Sequence, residues 1–513
     1  MGEILTTTVR DLMAQSGVAF GTSGARGEVV AMTDQICFAY TSGFLQFLRG
    51  QGEFASGGRV ALAGDLRPST PRILRACANA IRSLGGEPVF CGYVPTPALA
   101  FYAFAQGIPS LMVTGSHIPD DRNGIKFYRC AGEVLKEDEA GITGQTVTLD
   151  PVLFGEDEQL QAPTPLPPVI DVTEDYVARY ANFFGAGALA GLKIGVYQHS
   201  AVGRDVLVRI VEALGGTALV LGRSGQFIPV DTEAVRPEDI AAARQWAAEH
   251  GTDAIISTDG DSDRPLLANE AGEWLRGDRL GILCAQVLKA DQVVTPVSSN
   301  TALEMTGQFA GVSRTRIGSP YVIAAMNAAL AAGGTRVCGY EANGGFLLGS
   351  DILSDGRVLT ALPTRDAVLP ILAALVASRG VGGLTALEAG LPARVTYSDR
   401  IQAFPLDDSK RLFAHLQDDD AAVRDARLAS YFAGPHGGLV GVDLTDGIRM
   451  TMADGVVVHL RGSGNAPELR CYTEANDAIT AVQANARALG IVSERVLGIA
   501  RSVDGQLSAS VAK

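Results

Sequence analysis

Among seven cysteines in 513 residues, none forms a C-x-x-C pair; Cys37, Cys77, Cys91, Cys130, Cys284, Cys338 and Cys471 are scattered. That spacing excludes a zinc knuckle and a dense disulfide frame, and predicts reduced, mostly buried thiols in a reducing cytosol. Positive charge is also short. Lysine and arginine number 42 against 56 aspartates and glutamates, a formal charge of -14. No general nucleic-acid or membrane surface is expected from such a balance, and any anionic ligand must be held by local cations. Long apolar runs are missing too: the most apolar stretch, "AVLPILAALVA" at 367–377, is too short to span a bilayer and carries Pro370. It reads as a buried helix. The start, "MGEILTTTVRDLM", has neither a basic n-region nor an apolar h-region, so no export signal is expected and the chain reads as cytoplasmic. No short-period repeat is evident.

What the chain does have is length and apolar content, 47% hydrophobic over 513 residues, enough for three or four cores. Strand-like and helix-like patterns alternate. "RVALAGD" (59–65) precedes "TPRILRACANAIRSLGG", "KIGVYQ" (193–198) precedes "GRDVLVRIVEALGG", "DIAAARQWAAEHG" precedes "TDAIIST", and "DQVVTPVS" precedes "TALEMTGQFAG". This is an α/β signature with three similar units. The last hundred or so residues differ, with β-like "GIRMTMADG" and "VVVHLRGSG" and a helical "EANDAITAVQANARALG", as in a smaller α+β domain. "LQAPTPLPPVI" (160–170) has four prolines and cannot hold a helix, which makes it the first linker. Expected domains are therefore 1–165, 166–290, 291–400 and 401–513.

Four stretches carry more chemistry than structure requires. The loop "VTGSHIPDDRNGIKFY" (113–128) concentrates Ser116, His117 and Lys126 within eleven positions, next to an apolar run. In "DAIISTDGDSDRPLL" (253–267), Asp259, Asp261 and Asp263 alternate directly after a β-like run. Three carboxylates this close repel one another unless a cation sits among them, and hard oxygen ligands select Mg²⁺ or Ca²⁺. A calcium EF-hand fails here because Arg264 stands where the turn needs glycine, Pro265 follows, and a strand pattern precedes the loop where a helix should. "GYEANGGF" (339–346) places Glu341 and Asn343 in a glycine-rich loop, a hydrogen-bonding pair suited to sugar hydroxyls. "RGSGNAPELRCY" (461–472) sets Arg461, Ser463, Asn465 and Arg470 around a glycine-rich turn ahead of a helix-forming segment, as a phosphate cradle requires.

With "GTSGARG" (21–27), these stretches form an ordered set that resembles the α-D-phosphohexomutases, the phosphomannomutase and phosphoglucomutase family, over essentially the whole chain. The resemblance implies three similar α/β domains and a C-terminal domain of the TATA-box-binding-protein type around a central cleft. By match, Ser116 is the phosphorylated serine, and Asp259, Asp261 and Asp263 hold Mg²⁺ together with it. His117, Lys126, Arg26 and Arg264 supply proton transfer and charge neutralisation. Glu341 and Asn343 orient the hexose, while Arg461, Ser463, Asn465 and Arg470 grip the phosphate that is not reacting. Gly115 and Ile118 stand where the commonest family form has alanine and asparagine, and Asn465 with Ala466 where it has threonine and glutamate.

The implied activity interconverts hexose 6-phosphate and hexose 1-phosphate, mannose before glucose, through phosphoserine and a hexose 1,6-bisphosphate that also serves as activator. Its partners would be hexose phosphates, the protein a monomer or small homo-oligomer. Lys126 would carry a proton if neighbouring positive charge lowered its pKa. A phosphoglucosamine mutase is the alternative, as is a metal-dependent sugar phosphatase with an aspartyl nucleophile, which would need neither Ser116 nor a second phosphate grip.

Overall fold

A computed structural model of the chain describes residues 4–462, 467–496 and 498. They form two compact units. One contains the residues up to Thr295 with Gln308–Ser313 and Gly318–Gly390; the other contains Pro296–Gly307, Arg314–Ile317 and the residues from Leu391 onward.

The first unit holds three sheets built on one plan. In the first, Arg59–Gly64 pairs in parallel with Glu87–Tyr93 and Ser110–Val113, and Ser110–Val113 pairs antiparallel with Arg122–Arg129. In the second, Lys193–His199 is parallel to Thr217–Arg223 and Ala254–Thr258, and Ala254–Thr258 is antiparallel to Pro265–Ala268. In the third, Gln292–Pro296 is parallel to Val337–Tyr340, which is antiparallel to Phe346–Leu348. Each sheet thus ends a parallel strand in a short loop and returns on an antiparallel one. The three returning loops are 114–121, 259–264 and 341–345, and they contain the serine, aspartate-triad and Glu/Asn motifs. This is the degenerate repeat that residue patterns alone could not establish, since its period lies in topology and not in residue identity.

Parallel strands need long crossovers, and helices such as Thr70–Ser83, Arg204–Ala213 and Pro237–His250 supply them, burying apolar faces on the sheets. The segment 367–377 becomes the helix Val368–Ser378, buried along most of its length, with Pro370 in the first turn where its missing N–H costs nothing. Two local expectations change. "TALEM" forms only the four-residue helix Ala302–Met305, and the long helix of that region is Ser319–Ala331. The polar stretch 113–128 is not one loop: Arg122–Arg129 is a strand of the sheet, so Lys126 sits mid-strand and 7% exposed.

The second unit is an antiparallel sheet in the order Val395–Ile401, Leu469–Ala475, Val457–Gly462, Ile448–Met452, Leu439–Asp443. Helices Leu406–Leu416 and Ala478–Ile491 contribute Leu412, Leu416, Ala481, Ala484 and Ala488 to its core. The strand Leu469–Ala475 forms because "LRCYT" alternates buried and half-buried side chains with the period of a sheet. The helix begins only at Ala478, after that strand.

Candidate active site

The serine sits at the end of Ser110–Val113, where the chain must turn sharply to come back as Arg122–Arg129. Ser116 takes a left-handed backbone with φ 58°. Its N–H donates to Thr114 Oγ1 at 2.8 Å, and its side chain, 1% exposed, donates from Oγ to Asp259 Oδ2 at 2.7 Å. The loop carrying Asp259 turns through Ser262, also left-handed at φ 62°, and is tied back by Asp259 Oδ1, which accepts from the N–H of Asp263 and of Arg264 at 3.2 Å each. Gly260 is required by proximity: a Cβ there would lie 2.6 Å from the Ser116 carbonyl oxygen.

Asp259, Asp261 and Asp263 are all fully buried, and each offers an oxygen within 4.8 Å of the others. Lys126 Nζ donates to Asp261 Oδ2 at 2.5 Å and to Asp263 Oδ2 at 2.6 Å. Thr96 Oγ1 adds a bond to Asp261 Oδ2 at 2.6 Å, and Arg365 Nε one to Asp263 Oδ2 at 3.1 Å. Asp261 Oδ1 is buried without a hydrogen-bond donor, and Asp263 Oδ1 has only the Arg264 guanidinium, with Nε at 3.7 Å and beyond hydrogen-bond reach. Orphaned carboxylate oxygens cost several kcal/mol unless something positive faces them, and an all-oxygen set fits a hard divalent cation. Burial and the neighbouring Asp261 and Asp263 push Asp259 well above the usual carboxylate range. Burial acts the same way on Asp261, but Lys126 and Thr96 outweigh it and hold that carboxyl low.

Lys126 departs from expectation. Burial alone would lower its pKa, yet Asp261 and Asp263 more than offset this and raise it. The side chain therefore rests as an ammonium between the two carboxylates. His117 differs as well. Its Nδ1 lies 2.8 Å from Arg264 NH1, which can only donate, so Nδ1 accepts and the ring proton resides on Nε2. Burial and Arg264 push this histidine down to about 3, so its ring is neutral at neutral pH. Arg26, on Gly24–Glu28 opposite Gly124, is lowered to about 10 by burial and by Arg264. An open cleft is lined by Arg26, Ser116, Lys126, Arg264 and Arg365 together with residues 21–25.

Glu341 and Asn343 occupy the third returning loop, 4% and 5% exposed. Arg365 NH1 donates to Glu341 Oε2 at 3.2 Å, so this arginine links the sugar-loop glutamate to the aspartate triad. Asn343 Oδ1 accepts from the N–H of Gly345 at 2.9 Å and Thr232 Oγ1 donates to its carbonyl at 2.8 Å, giving it a part in shaping the turn. Within the second unit, Arg461 and Arg470 face each other across neighbouring strands, and Arg400 pairs with Arg470 on the far side. Three arginines at one register level would repel. Glu468 accepts from Arg470 at 2.6 Å and lies 3.4 Å from Arg400, while Asp446 accepts from Arg461 at 2.9 Å. Ser463 and Asn465 lie outside the described residues.

Reading residues alone missed Thr96, Arg365 and Arg400. Thr96 resembles any helix-start threonine. Arg365 had a faint signal, an Arg-Asp pair between two apolar segments.

Models of the phosphoglucomutase/phosphomannomutase alpha/beta/alpha domains I, II and III match residues 17–151, 174–272 and 276–389. The phosphomannomutase of Salmonella muenchen is 44% identical over 468 residues, covering 91% of this chain and 94% of that one. The chain belongs to the phosphoglucomutase/phosphomannomutase family. A second relative in it, the phosphomannomutase of Sinorhizobium fredii, is 43% identical over 94% of this chain and 100% of its own length. A phosphoglucosamine mutase of Symbiobacterium thermophilum is more distant, 30% identical over 67% of this chain and 77% of that one. Solved family folds agree. A phosphoglucomutase/phosphomannomutase family protein of Burkholderia thailandensis superposes with TM-score 0.69 at 21% identity, over 93% of this chain and 98% of that one. Parafusin, a phosphoglucomutase of Paramecium, does so with TM-score 0.67 at 15% identity, over 97% of both chains.

Proposed function

We propose that this phosphohexomutase interconverts mannose 6-phosphate and mannose 1-phosphate, with the glucose phosphates as further substrates, through a phosphorylated Ser116. The observation that carries the reading is the meeting of Ser116 Oγ with Asp259 Oδ2 at 2.7 Å, in a buried triad of carboxylates that each offer an oxygen within 4.8 Å of the others. Moving a phosphoryl group between C6 and C1 of one hexose is difficult directly. A serine that first donates its phosphate makes a hexose 1,6-bisphosphate, which turns over and returns the other phosphate to Ser116. The same bisphosphate acts as activator by rephosphorylating an empty serine.

Asp259, Asp261 and Asp263 would hold Mg²⁺ with the serine phosphate, and the ion when bound would supply charge neutralisation at the transferring group. Lys126, held charged between Asp261 and Asp263, protonates Ser116 Oγ as its bond to phosphorus breaks, and the amine so formed takes the proton that the attacking sugar hydroxyl gives up as the new P–O bond forms. Arg264 and Arg26 present guanidinium groups to the transferring oxygens, and His117 donates from Nε2. Catalysis is then positioning plus electrostatics, the usual economy of phosphoryl transfer. Glu341 and Asn343 read hexose hydroxyls. Arg461 and Arg470, with Arg400 beside them, grip the phosphate at the other end of the sugar, and Ser463 and Asn465 are assigned to the same grip.

Mannose ranks first because the relatives at 43–44% identity are named phosphomannomutases. Discrimination through the C2 hydroxyl is expected to be modest, about 1–3 kcal/mol. The test is kcat/KM for mannose 1-phosphate, glucose 1-phosphate and glucosamine 1-phosphate with Mg²⁺ and bisphosphate. Isomerised product with mannose ahead supports the reading. Inorganic phosphate as product would make it a phosphatase, and preference for the amino sugar a phosphoglucosamine mutase.

A further inference from the structure

Arg67 has no part in the reading above, yet it is among the largest fully buried side chains of the molecule, 1% exposed. It follows the strand Arg59–Gly64 in "GDLRPST" and turns back under the serine loop. A guanidinium has five N–H donors in a fixed planar fork, and here each is used. Nε donates to Asp65 Oδ2 at 3.0 Å. NH1 donates to the carbonyls of Pro119 at 2.7 Å and Arg122 at 3.1 Å, and NH2 to those of Ser116 at 2.8 Å and Ile118 at 2.6 Å. One side chain therefore holds four carbonyls of the segment 116–122.

The other face of the serine is tied to the same pair. Asp65 Oδ2 accepts from Thr114 Oγ1 at 2.7 Å, and that oxygen accepts the Ser116 N–H at 2.8 Å. Both peptide groups flanking Ser116 are anchored to Asp65 and Arg67. Such anchoring has a reason. Ser116 holds φ 58°, a conformation that side-chain-bearing residues adopt only when their surroundings impose it. The fit around the guanidinium is close: Phe227, from the segment between Thr217–Arg223 and Pro237–His250, lays its ring 4.1 Å from Arg67 Cζ. Gly115 leaves the space it fills, for a Cβ there would lie 2.6 Å from Cζ.

We propose that Arg67, buttressed by Asp65 and Phe227, is the positioning residue that holds Ser116 in its left-handed conformation and so aims Oγ at Asp259 and the cleft. Within the serine loop its hydrogen bonds all go to backbone carbonyls. This inference rests on Ser116 being the phosphorylated residue.

The test uses the full chain with Arg67→Lys, which keeps a cation beside Asp65 but cannot reach four carbonyls, and Phe227→Leu, which leaves every hydrogen bond in place. Steady-state kcat and KM, the single-turnover rate of phosphate leaving Ser116, and amide exchange of 114–122 are measured together. Arg67→Lys should lower kcat and the single-turnover rate by about 10²-fold, the typical cost of a misplaced reacting group, with KM within about threefold. Exchange in 114–122 should quicken while the rest of the unit is unchanged. Phe227→Leu should lower kcat about three- to tenfold with the same exchange signature, by weakening the support around the guanidinium. A kcat within twofold of the parent in Arg67→Lys, or a raised KM at unchanged kcat, overturns the proposal; if Arg67→Lys does not fold, unchanged kcat and exchange in Phe227→Leu does so. Mapping the phosphate in the parent separates the two readings: phosphate on Ser116 with an indifferent Arg67 sinks only this inference, and phosphate elsewhere sinks the reading beneath it.

Discussion

Replacing Asp261 by asparagine separates the chemistry of the triad from its contribution to the fold, because the structure assigns different magnitudes to each. Asp261 is fully buried, and its Oδ2 accepts from Lys126 at 2.5 Å and from Thr96 at 2.6 Å. Breaking a buried ion pair outright costs about 3–5 kcal/mol. Lys126 nevertheless keeps Asp263 at 2.6 Å, and the asparagine carbonyl can still accept a hydrogen bond. The expected loss of stability is therefore smaller, about 1–3 kcal/mol. Turnover should fall much further. The substitution removes one anionic oxygen from the metal set and frees Lys126 from half of its anchoring, and it should lower kcat on the order of 10³-fold, or about 4 kcal/mol. A coupled assay of mannose 1-phosphate isomerisation gives the first number, and chemical denaturation followed by circular dichroism gives the second. A variant that keeps kcat within tenfold of the parent, or that unfolds, would refute the reasoning, since the triad would then be structural.

Gly24→Ala should destabilise the first unit by about 3 kcal/mol, because its Cβ would lie 1.9 Å from the carbonyl oxygen of Ile125, which the sheet cannot move; chemical denaturation measures this. Burial lowers His459 to about 4, from an ordinary value near 6.5, so the fold binds the neutral ring. Its contribution is complete above about pH 6.5 and is lost as pH falls towards 4, and His459→Gln should shrink the stability difference between pH 7 and pH 5 by about 2 kcal/mol. Arg461→Ala and Arg470→Ala should each raise KM for hexose phosphate about tenfold or more with a smaller change in kcat, since a non-reacting phosphate is gripped alike in ground and transition states.

Much of the site was legible in residues because the chemistry is local. An alternating Asp259, Asp261 and Asp263 after an apolar run can be read without coordinates, and so can a serine, histidine and lysine within eleven positions. The α/β alternation was legible for the same reason, since period-2 and period-3.6 patterns report the faces that must be buried. What could not be read depends on long-range pairing. Lys126 reads as a loop residue because "DRNGIK" is polar, and only its pairing with Gly24 and Met112 places it mid-strand. The condition for a lowered Lys126 pKa, positive neighbours, is outweighed because Asp261 and Asp263, more than 130 positions away in sequence, come within 2.6 Å of it. The segment 461–472 reads as a turn ahead of a helix-forming stretch, but alternation in "LRCYT" is the signal of a strand, and that strand separates the segment from the helix at Ala478. Arg67 and Thr96 carry no motif and Arg365 only a faint one, and their importance lies in what folds onto them.

The measurement that bears most directly on the account is a single turnover of the purified protein, phosphorylated as isolated, mixed with mannose 1-phosphate in the presence of Mg²⁺. Peptide mass spectrometry follows Ser116, and chromatography follows the sugar. The account predicts that the phosphate leaves Ser116 as hexose 1,6-bisphosphate forms, that it is regained as mannose 6-phosphate is released, and that Ser116→Ala is inactive. Release of the serine phosphate as inorganic phosphate, or isomerase activity retained in Ser116→Ala, would contradict it.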